Sequence, residues 1–227
     1  MDKEKIIAAI YSAKNVYVDP KNPIRGGAGL YQAIYLDHRN LFSFVEERTM
    51  IFQALQERII QEQKFDLLAG KETGGIAPAA VISQNLKIPM IYVRKRPKEG
   101  GRLRQIEGEF KPGASIVVID DTVVTGGNIR RAAEALTAAG AKVTGAAAIS
   151  IVKTELYEKQ FAKLGIKLTY LVTMKEIVDW GIKNNKLEKS HIEEVKEYLA
   201  DPLGWGIKNG FDQFDWSGLR WKTFIKF

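Results

Sequence analysis

The stretch Ile116-Val-Val-Ile-Asp-Asp-Thr-Val-Val-Thr-Gly-Gly-Asn128 constrains this chain more than any other. It opens as an unbroken apolar, β-branched run, the pattern of a strand buried on both faces of a parallel sheet. Two adjacent acids and a small, glycine-rich turn follow. A helical pattern then begins, with Ile129, Ala132, Ala133 and Leu136 on one face and Gly140 as the stop. Strand, turn and helix in that order place the backbone N–H groups of Thr125, Gly126, Gly127 and Asn128 at a helix N-terminus, where they suit a phosphate. Asp120 and Asp121 fall at the carboxyl end of the strand, where ligands of open α/β sheets bind. Carboxylates repel phosphate, so these two should hold something neutral or cationic beside it, such as ribose hydroxyls or a metal ion.

The rest of the pattern agrees with a sheet. Residues 2–14 read as a helix with Ile6, Ile7 and Ile10 on one face. Ala33–Asp37 reads as a strand. Ser43 and Glu46 suggest a capping box for a helix reaching Gln63, with Ile51, Phe52, Leu55 and Ile59 as its apolar face. Strands are expected at Phe65–Ala69, Pro89–Val93, 115–121, 142–152 and Lys167–Thr173. Helices are expected from Gly75 to Asn85, over 126–139, and over 154–164 with Thr154 as cap. Strands spaced by helices imply a mostly parallel sheet. From Met174 the chain reads as helical, with a second capping box at Ser190 and Glu193 and a stop at Asp201-Pro202. Trp205, Phe211, Phe214, Trp216, Trp221, Phe224 and Phe227 then give an aromatic density that argues for packing, on the main domain or across a dimer, with base stacking or nucleic-acid contact as the alternative.

Composition narrows the chemistry. The 227 residues contain no cysteine and only His38 and His191, which excludes disulfides and argues against a zinc site. The N-terminus lacks a secretory apolar segment, and no run approaches membrane-spanning length, so a cytoplasmic protein is expected. The net charge is +7, but eight basic and three acidic residues between Lys87 and Lys111 supply +5 of it. Charge confined to one loop suits a compact polyanion better than a nucleic acid duplex. No Gly-x-x-x-x-Gly-Lys-Ser/Thr sequence is present, and the Gly27-Ala-Gly29 fragment ends in Gln32, so neither a P-loop nor a dinucleotide fingerprint is available.

The 116–128 stretch resembles the motif by which type I phosphoribosyltransferases bind phosphoribosyl pyrophosphate (PRPP). The resemblance implies that Asp120 and Asp121 hold the ribose hydroxyls, while Thr125, Gly126, Gly127 and Asn128 hold the 5-phosphate. Val124 stands where that family usually has a first Thr. Ala69-Gly-Lys-Glu-Thr-Gly-Gly75 is similar to the family's pyrophosphate loop, with Glu72, Thr73 and Gly74 in the turn. Tyr92–Gly101 with Gln105–Gly108 resembles the catalytic loop of orotate phosphoribosyltransferases. This implies pyrophosphate contacts from Arg94, Lys95 and Lys98, often reaching a neighbouring subunit. Gly100 occupies the place of the loop His that such enzymes often carry.

The base site matches less closely. Ile34, Tyr35 and Asp37 align, but the usual Lys falls near Gly27, and Arg25 is the substitute. Lys153 stands where many members have an Arg facing the orotate carboxylate. The resemblance covers about residues 30–175. It implies a phosphoribosyltransferase domain over 1–175, with a small hood from about 15–42, and an extension over 176–227. It also implies PRPP and a free base, orotate first, as substrates, Mg2+ held through PRPP with Asp120 and Asp121, and a homodimer. A phosphoribosyltransferase for a purine or other base, or a PRPP-sensing regulator, stands as the alternative.

Overall fold

The computed structural model describes residues 2–97 and 105–211. Lys98 of the basic loop, and Phe214, Trp216, Trp221, Phe224 and Phe227 of the tail, lie outside the described residues. In chain order the elements are α1 (Lys3–Ser12), β1 (Val16–Val18), β2 (Ile24–Arg25), β3 (Tyr31–Gln32), β4 (Ile34–Leu36), α2 (Val45–Glu62), β5 (Leu67–Lys71), α3 (Ile76–Leu86), β6 (Met90–Val93), β7 (Ile106–Glu107), β8 (Ser115–Val123), α4 (Gly127–Ala138), β9 (Lys142–Ile151), α5 (Glu155–Leu164), β10 (Lys167–Thr173), α6 (Met174–Lys183), α7 (Ile192–Ala200) and α8 (Trp205–Lys208). The described chain divides into two compact units, one of residues up to Asn15 with Leu36–Lys186, the other of Val16–Tyr35 with the residues from Leu187 onward.

The first unit is built on a six-stranded sheet of order β10-β9-β8-β5-β6-β7. All pairs are parallel except β6 with β7. Its central strands are apolar throughout, because helices cover both faces and leave no wet side. Ile116 to Ile119 of β8 and Ala146 to Ala148 of β9 are almost wholly buried. On one face Ile129, Ala132 and Leu136 of α4 and Phe161 of α5 close over Ile116, Val118, Ala146 and Ala148. The α4 face is the one its spacing predicts. The antiparallel β7 has two residues, too few to show a period in the sequence, and it returns the chain to the sheet edge after the basic loop.

Two expected capping boxes do not form, for one shared reason. Ser43 closes a 3-10 turn over His38–Ser43, so α2 starts one residue later with Phe44 as its cap. Glu46 is then at the second helical position, and the third-position Glu47 accepts from Ser12 Oγ at 2.6 Å instead. Ser190 is likewise inside a 3-10 turn over Lys189–His191, and α7 is capped by His191. The capping box that does form is at α6, where Thr173 Oγ1 accepts from the Glu176 amide at 3.2 Å and Glu176 Oε2 accepts from the Thr173 amide at 2.7 Å. Tyr11 of α1 stacks on Trp180 of α6, with ring centroids 5.3 Å apart.

In the second unit β1 pairs with β4 and β2 with β3. Its core is aromatic. Tyr31 stacks on Phe211, Phe211 on Trp205, and Tyr198 meets Trp205 edge-on, at centroid distances of 5.5, 5.7 and 5.8 Å. Trp205 and Phe211 of the tail are thus packing residues of this unit.

The α6 box gives a direct test of the fold. Thr173→Ala should destabilise the protein by about 1 kcal/mol, the usual cost of losing a side-chain cap. Urea unfolding should show the midpoint falling with the slope unchanged.

Candidate active site

The strand β8 carries the acid pair and continues two residues past it, to Val123, rather than ending at Asp121. The β8–β9 pairing runs in step through this region, from Ile119 opposite Ala147 to Val123 opposite Ile151. Asp120 is 4% exposed, while Asp121 is half-buried. Oδ1 of Asp120 accepts from the Asp121 amide at 3.1 Å, and Oδ1 of Asp121 accepts from the Thr122 amide at 2.9 Å.

Burial, and then the charge of Asp121, push the Asp120 carboxyl well above the usual carboxylate range. Lys71, at the end of the adjacent strand β5, opposes this. Burial pulls the Lys71 ammonium below its ordinary value, and Asp120 pulls it back up. Burial thus drives both groups toward their uncharged forms, and their mutual attraction resists it.

Two helices begin beside this pair, and their N-termini differ from the others. Among the described helices of eight or more residues, α1, α5 and α6 have side-chain caps, and α2 and α7 carry acids in the first turn. Only α3 and α4 have neither. Each starts on a glycine, Gly75 and Gly126, and apart from a long contact at Gly127 its first-turn N–H groups have no side-chain oxygen to satisfy them. Such ends accept anions. At α4 Thr125 Oγ1 takes the Gly127 amide at 3.4 Å, and Gly126 adopts a left-handed φ of 76° that a side chain would strain. Thr125, Gly126 and Gly127 are buried and Asn128 is half-buried. Asn128 Oδ1 accepts from Arg131 Nη2 at 2.5 Å.

The Glu72–Gly75 turn packs directly on β8. A Cβ on Gly74 would fall 2.2 Å from the Asp121 Cγ, and one on Gly75 would fall 1.9 Å from the Ile119 carbonyl oxygen. The two glycine-rich motifs, separated in the sequence, therefore meet at Asp121. The peptide between Glu72 and Thr73 is cis. Thr73 is exposed and Glu72 half-buried, with Glu72 Oε2 accepting from the Lys95 amide at 2.7 Å.

That bond ties the turn to the root of the basic loop. The β6–β7 pair extends there, with the Arg94 amide donating to the Gln105 carbonyl at 2.8 Å. Arg94 is half-buried and its Nη1 lies 3.7 Å from Glu107 Oε1, while Lys95 is exposed. Lys153 is exposed, just past β9 and before the Thr154 cap of α5. Arg25 and Tyr35 belong to the second unit. Arg25 donates from Nε to the Gly29 carbonyl at 3.3 Å and lies over the Tyr31 ring, and Tyr35 is half-buried on β4.

The structure adds residues that sequence reasoning passed over. Lys71 was hidden inside the glycine turn, although a lysine closing an apolar strand is itself a signal. Another is His38, counted in the sequence only as a missing zinc ligand. It is 1% exposed and lies in a buried polar chain. Its Nδ1 is 3.1 Å from Asn15 Nδ2, its Nε2 is 2.8 Å from Ser150 Oγ, and Ser150 Oγ is 3.1 Å from Thr122 Oγ1.

The phosphoribosyl transferase domain family matches residues 43–184. The chain is 36% identical over 208 residues to orotate phosphoribosyltransferase of Listeria monocytogenes, covering 91% of this chain and 100% of that one. It is 32% identical over 209 residues to orotate phosphoribosyltransferase of Lactobacillus johnsonii, covering 92% and 99%. The crystal structure of orotate phosphoribosyltransferase from Aeropyrum pernix superposes with a TM-score of 0.69 at 26% identity, over 81% of this chain and 99% of that one. The chain belongs to the phosphoribosyltransferases, and within them to the orotate phosphoribosyltransferase family.

The buried imidazole predicts an acid sensitivity. Burial lowers the His38 pKa to about 4, although the Asp121 and Asp37 charges raise it in part. The unfolded chain therefore takes up this proton first, from about pH 6.5 downward, and the folded state only near pH 4. Stability from His38 is complete above pH 6.5 and is lost as the pH falls toward 4. Between pH 7 and 5 the loss should be about 2 kcal/mol. The non-titrating His38→Gln protein should lose correspondingly less over that interval, measured by urea midpoints at both values.

Proposed function

We propose that this protein transfers the 5-phosphoribosyl group of PRPP to orotate, releasing pyrophosphate and forming orotidine monophosphate for pyrimidine nucleotide biosynthesis. The observation that carries the reading is the packing of the Glu72–Gly75 turn on Asp121, in the strand that leads into the second turn, each turn opening a helix without a side-chain cap. One anion-receptive helix end would serve many ligands. Two of them, on either side of a carboxylate pair, suit a sugar that bears a phosphate at one end and a pyrophosphate at the other. The relatives support orotate as the base.

The reaction breaks the bond between the sugar C1 and the pyrophosphate oxygen, which leaves with the electron pair. The bond from C1 to the base nitrogen forms in its place. Positive, oxocarbenium-like charge develops on the sugar between these events. The protein must therefore fix the ribose, neutralise the departing pyrophosphate and exclude water. In this proposal Asp120 and Asp121 accept hydrogen bonds from the ribose 2- and 3-hydroxyls. The amides of Thr125, Gly126, Gly127 and Asn128 hold the 5-phosphate. The Glu72, Thr73 and Gly74 turn takes the pyrophosphate, with Lys71, Arg94, Lys95 and Lys98 supplying positive charge. Lys153 is assigned to the base.

Mg2+ is the cofactor this reading implies. Among the described residues no three or more His, Asp or Glu gather as a metal cage. Magnesium commonly takes one or two carboxylates and completes its shell with water and substrate phosphate. The Asp120–Asp121 pair between two phosphate-receptive turns fits that demand. When bound, the ion would offset charge on the leaving group. The same proposal has the protein acting as a homodimer, its basic loop serving a neighbouring site, and working in the cytoplasm, since its phosphorylated substrates are retained behind membranes. No helix of the described residues is long and apolar enough to cross a membrane.

A panel of free bases with PRPP and Mg2+, read by pyrophosphate release, tests the substrate. Orotate should be consumed. Turnover of adenine, hypoxanthine or uracil in its place would move the base assignment while leaving the PRPP site, and binding of PRPP without any turnover would favour a sensor. Asp121→Asn should retain the fold and weaken PRPP binding at least tenfold, the scale of a lost charge-assisted hydrogen bond at about 1.5–3 kcal/mol. Calorimetry showing parental affinity would remove Asp121 from the ribose site. Lys153→Ala should raise the orotate KM by a similar factor with PRPP little affected, and an unchanged KM would make Lys153 a solvated surface residue.

A further inference from the structure

The polar chain through His38 has a direction. The Asn15 side-chain nitrogen can only donate, so His38 Nδ1 must accept. A neutral imidazole then carries its proton on Nε2, which donates to Ser150 Oγ. Ser150 Oγ and Thr122 Oγ1 share the next hydrogen bond at 3.1 Å, which either hydroxyl can donate. Thr122 directly follows Asp121 and gives its amide to the Asp121 carboxylate. The direction is set as far as Ser150, and the contact continues to Thr122, whose backbone amide meets the Asp121 carboxylate.

Asn15, His38 and Ser150 are 0%, 1% and 0% exposed. Buried polar groups weigh against folding unless each is satisfied, and apolar residues of similar size would fill the same space without that demand. The chain also spans four separate stretches of the first unit, namely Asn15 after α1, the 3-10 turn, β9 and β8. It reaches β8 at Thr122, which pairs with Ser150 across the β8–β9 ladder and follows Asp121 directly.

We infer that His38 is a positioning residue for the transfer reaction, orienting Asp121 through Ser150 and Thr122 so that its carboxylate meets the ribose diol. The inference rests on the assignment of Asp121 to PRPP. His38 itself touches no substrate in this scheme. Its contribution is to hold Thr122, and with it the Asp121 carboxylate, in one arrangement before PRPP arrives. The consequence is confined to PRPP, since the chain makes no link to Lys153.

The test compares His38→Leu, His38→Gln and Ser150→Ala in the full-length protein. Leu removes both ring contacts. Gln can accept from Asn15 and donate to Ser150. Ala cuts the chain at its middle with a small change that should fold. PRPP affinity by calorimetry should fall about tenfold or more in His38→Leu and in Ser150→Ala. His38→Gln should recover most of it, and the orotate KM should stay near parental in all three. Nitrogen NMR of the parent should report a neutral ring protonated at Nε2, with that resonance moving when PRPP is added. If Ser150→Ala and His38→Leu melt at lower temperature yet bind PRPP as the parent does, the chain is a structural staple and the inference fails. A ring protonated at Nδ1 would also overturn it. Asp121→Asn separates the two levels. Parental PRPP affinity in that variant overturns the ribose assignment itself, whereas weak binding there with unchanged His38 and Ser150 variants overturns only the positioning role.

Discussion

Two carboxylates on adjacent residues, one of them almost fully buried, are the constraint around which the site is arranged. Isolated charge at that depth would neutralise itself or unfold the strand. Lys71 answers Asp120 from the neighbouring strand, and amides within β8 answer both acids. Neither anion-receptive helix end would work if it carried acids of its own, and α3 and α4 carry none in their first turns. The sheet supplies the rigidity this needs. Its central strands are buried on both faces, so the acids follow directly on the most deeply buried run of β8.

Much of this was legible in the residues. The run from Ile116 to Ile119 announced a doubly buried strand, and every residue assigned to the apolar faces of α1, α2 and α4 is buried. Thr154 and the Lys167–Thr173 strand were also placed correctly. What failed was local detail that depends on geometry one turn away. Ser43 and Ser190 each had the right partner spacing, but a preceding 3-10 turn absorbed them and moved the helix start by one residue. Glu176 caps α6 through Thr173, yet the threonine closes a strand and was read as part of it alone.

The site was legible in outline for the same reason and illegible in its support. Glycines, paired acids and a lysine-rich loop declare themselves because few other roles need them in that order. A lone histidine does not. Nothing near His38 in the sequence points to Ser150 or Thr122, more than eighty residues away, and only the folding of four segments onto one another joins them. Arg94 was singled out by the resemblance of its loop, and the structure adds a neighbour the sequence did not suggest, Glu107, beside its guanidinium at the base of the loop.

The aromatic stack of the second unit bears on how the chain comes to be folded. Tyr31 emerges early in synthesis, but Trp205 and Phe211, against which it packs, follow only after the whole of residues 36–186. That unit cannot close its core until the intervening chain has been made and compacted, since contacts so distant in sequence are reached late and slowly. Until then Tyr31 and its two short strands have no aromatic partner from the tail. A ribosome-bound chain halted before Trp205 should therefore hold a formed sheet and an unformed second unit. This makes Trp205 and Phe211 the residues that close the core of the second unit.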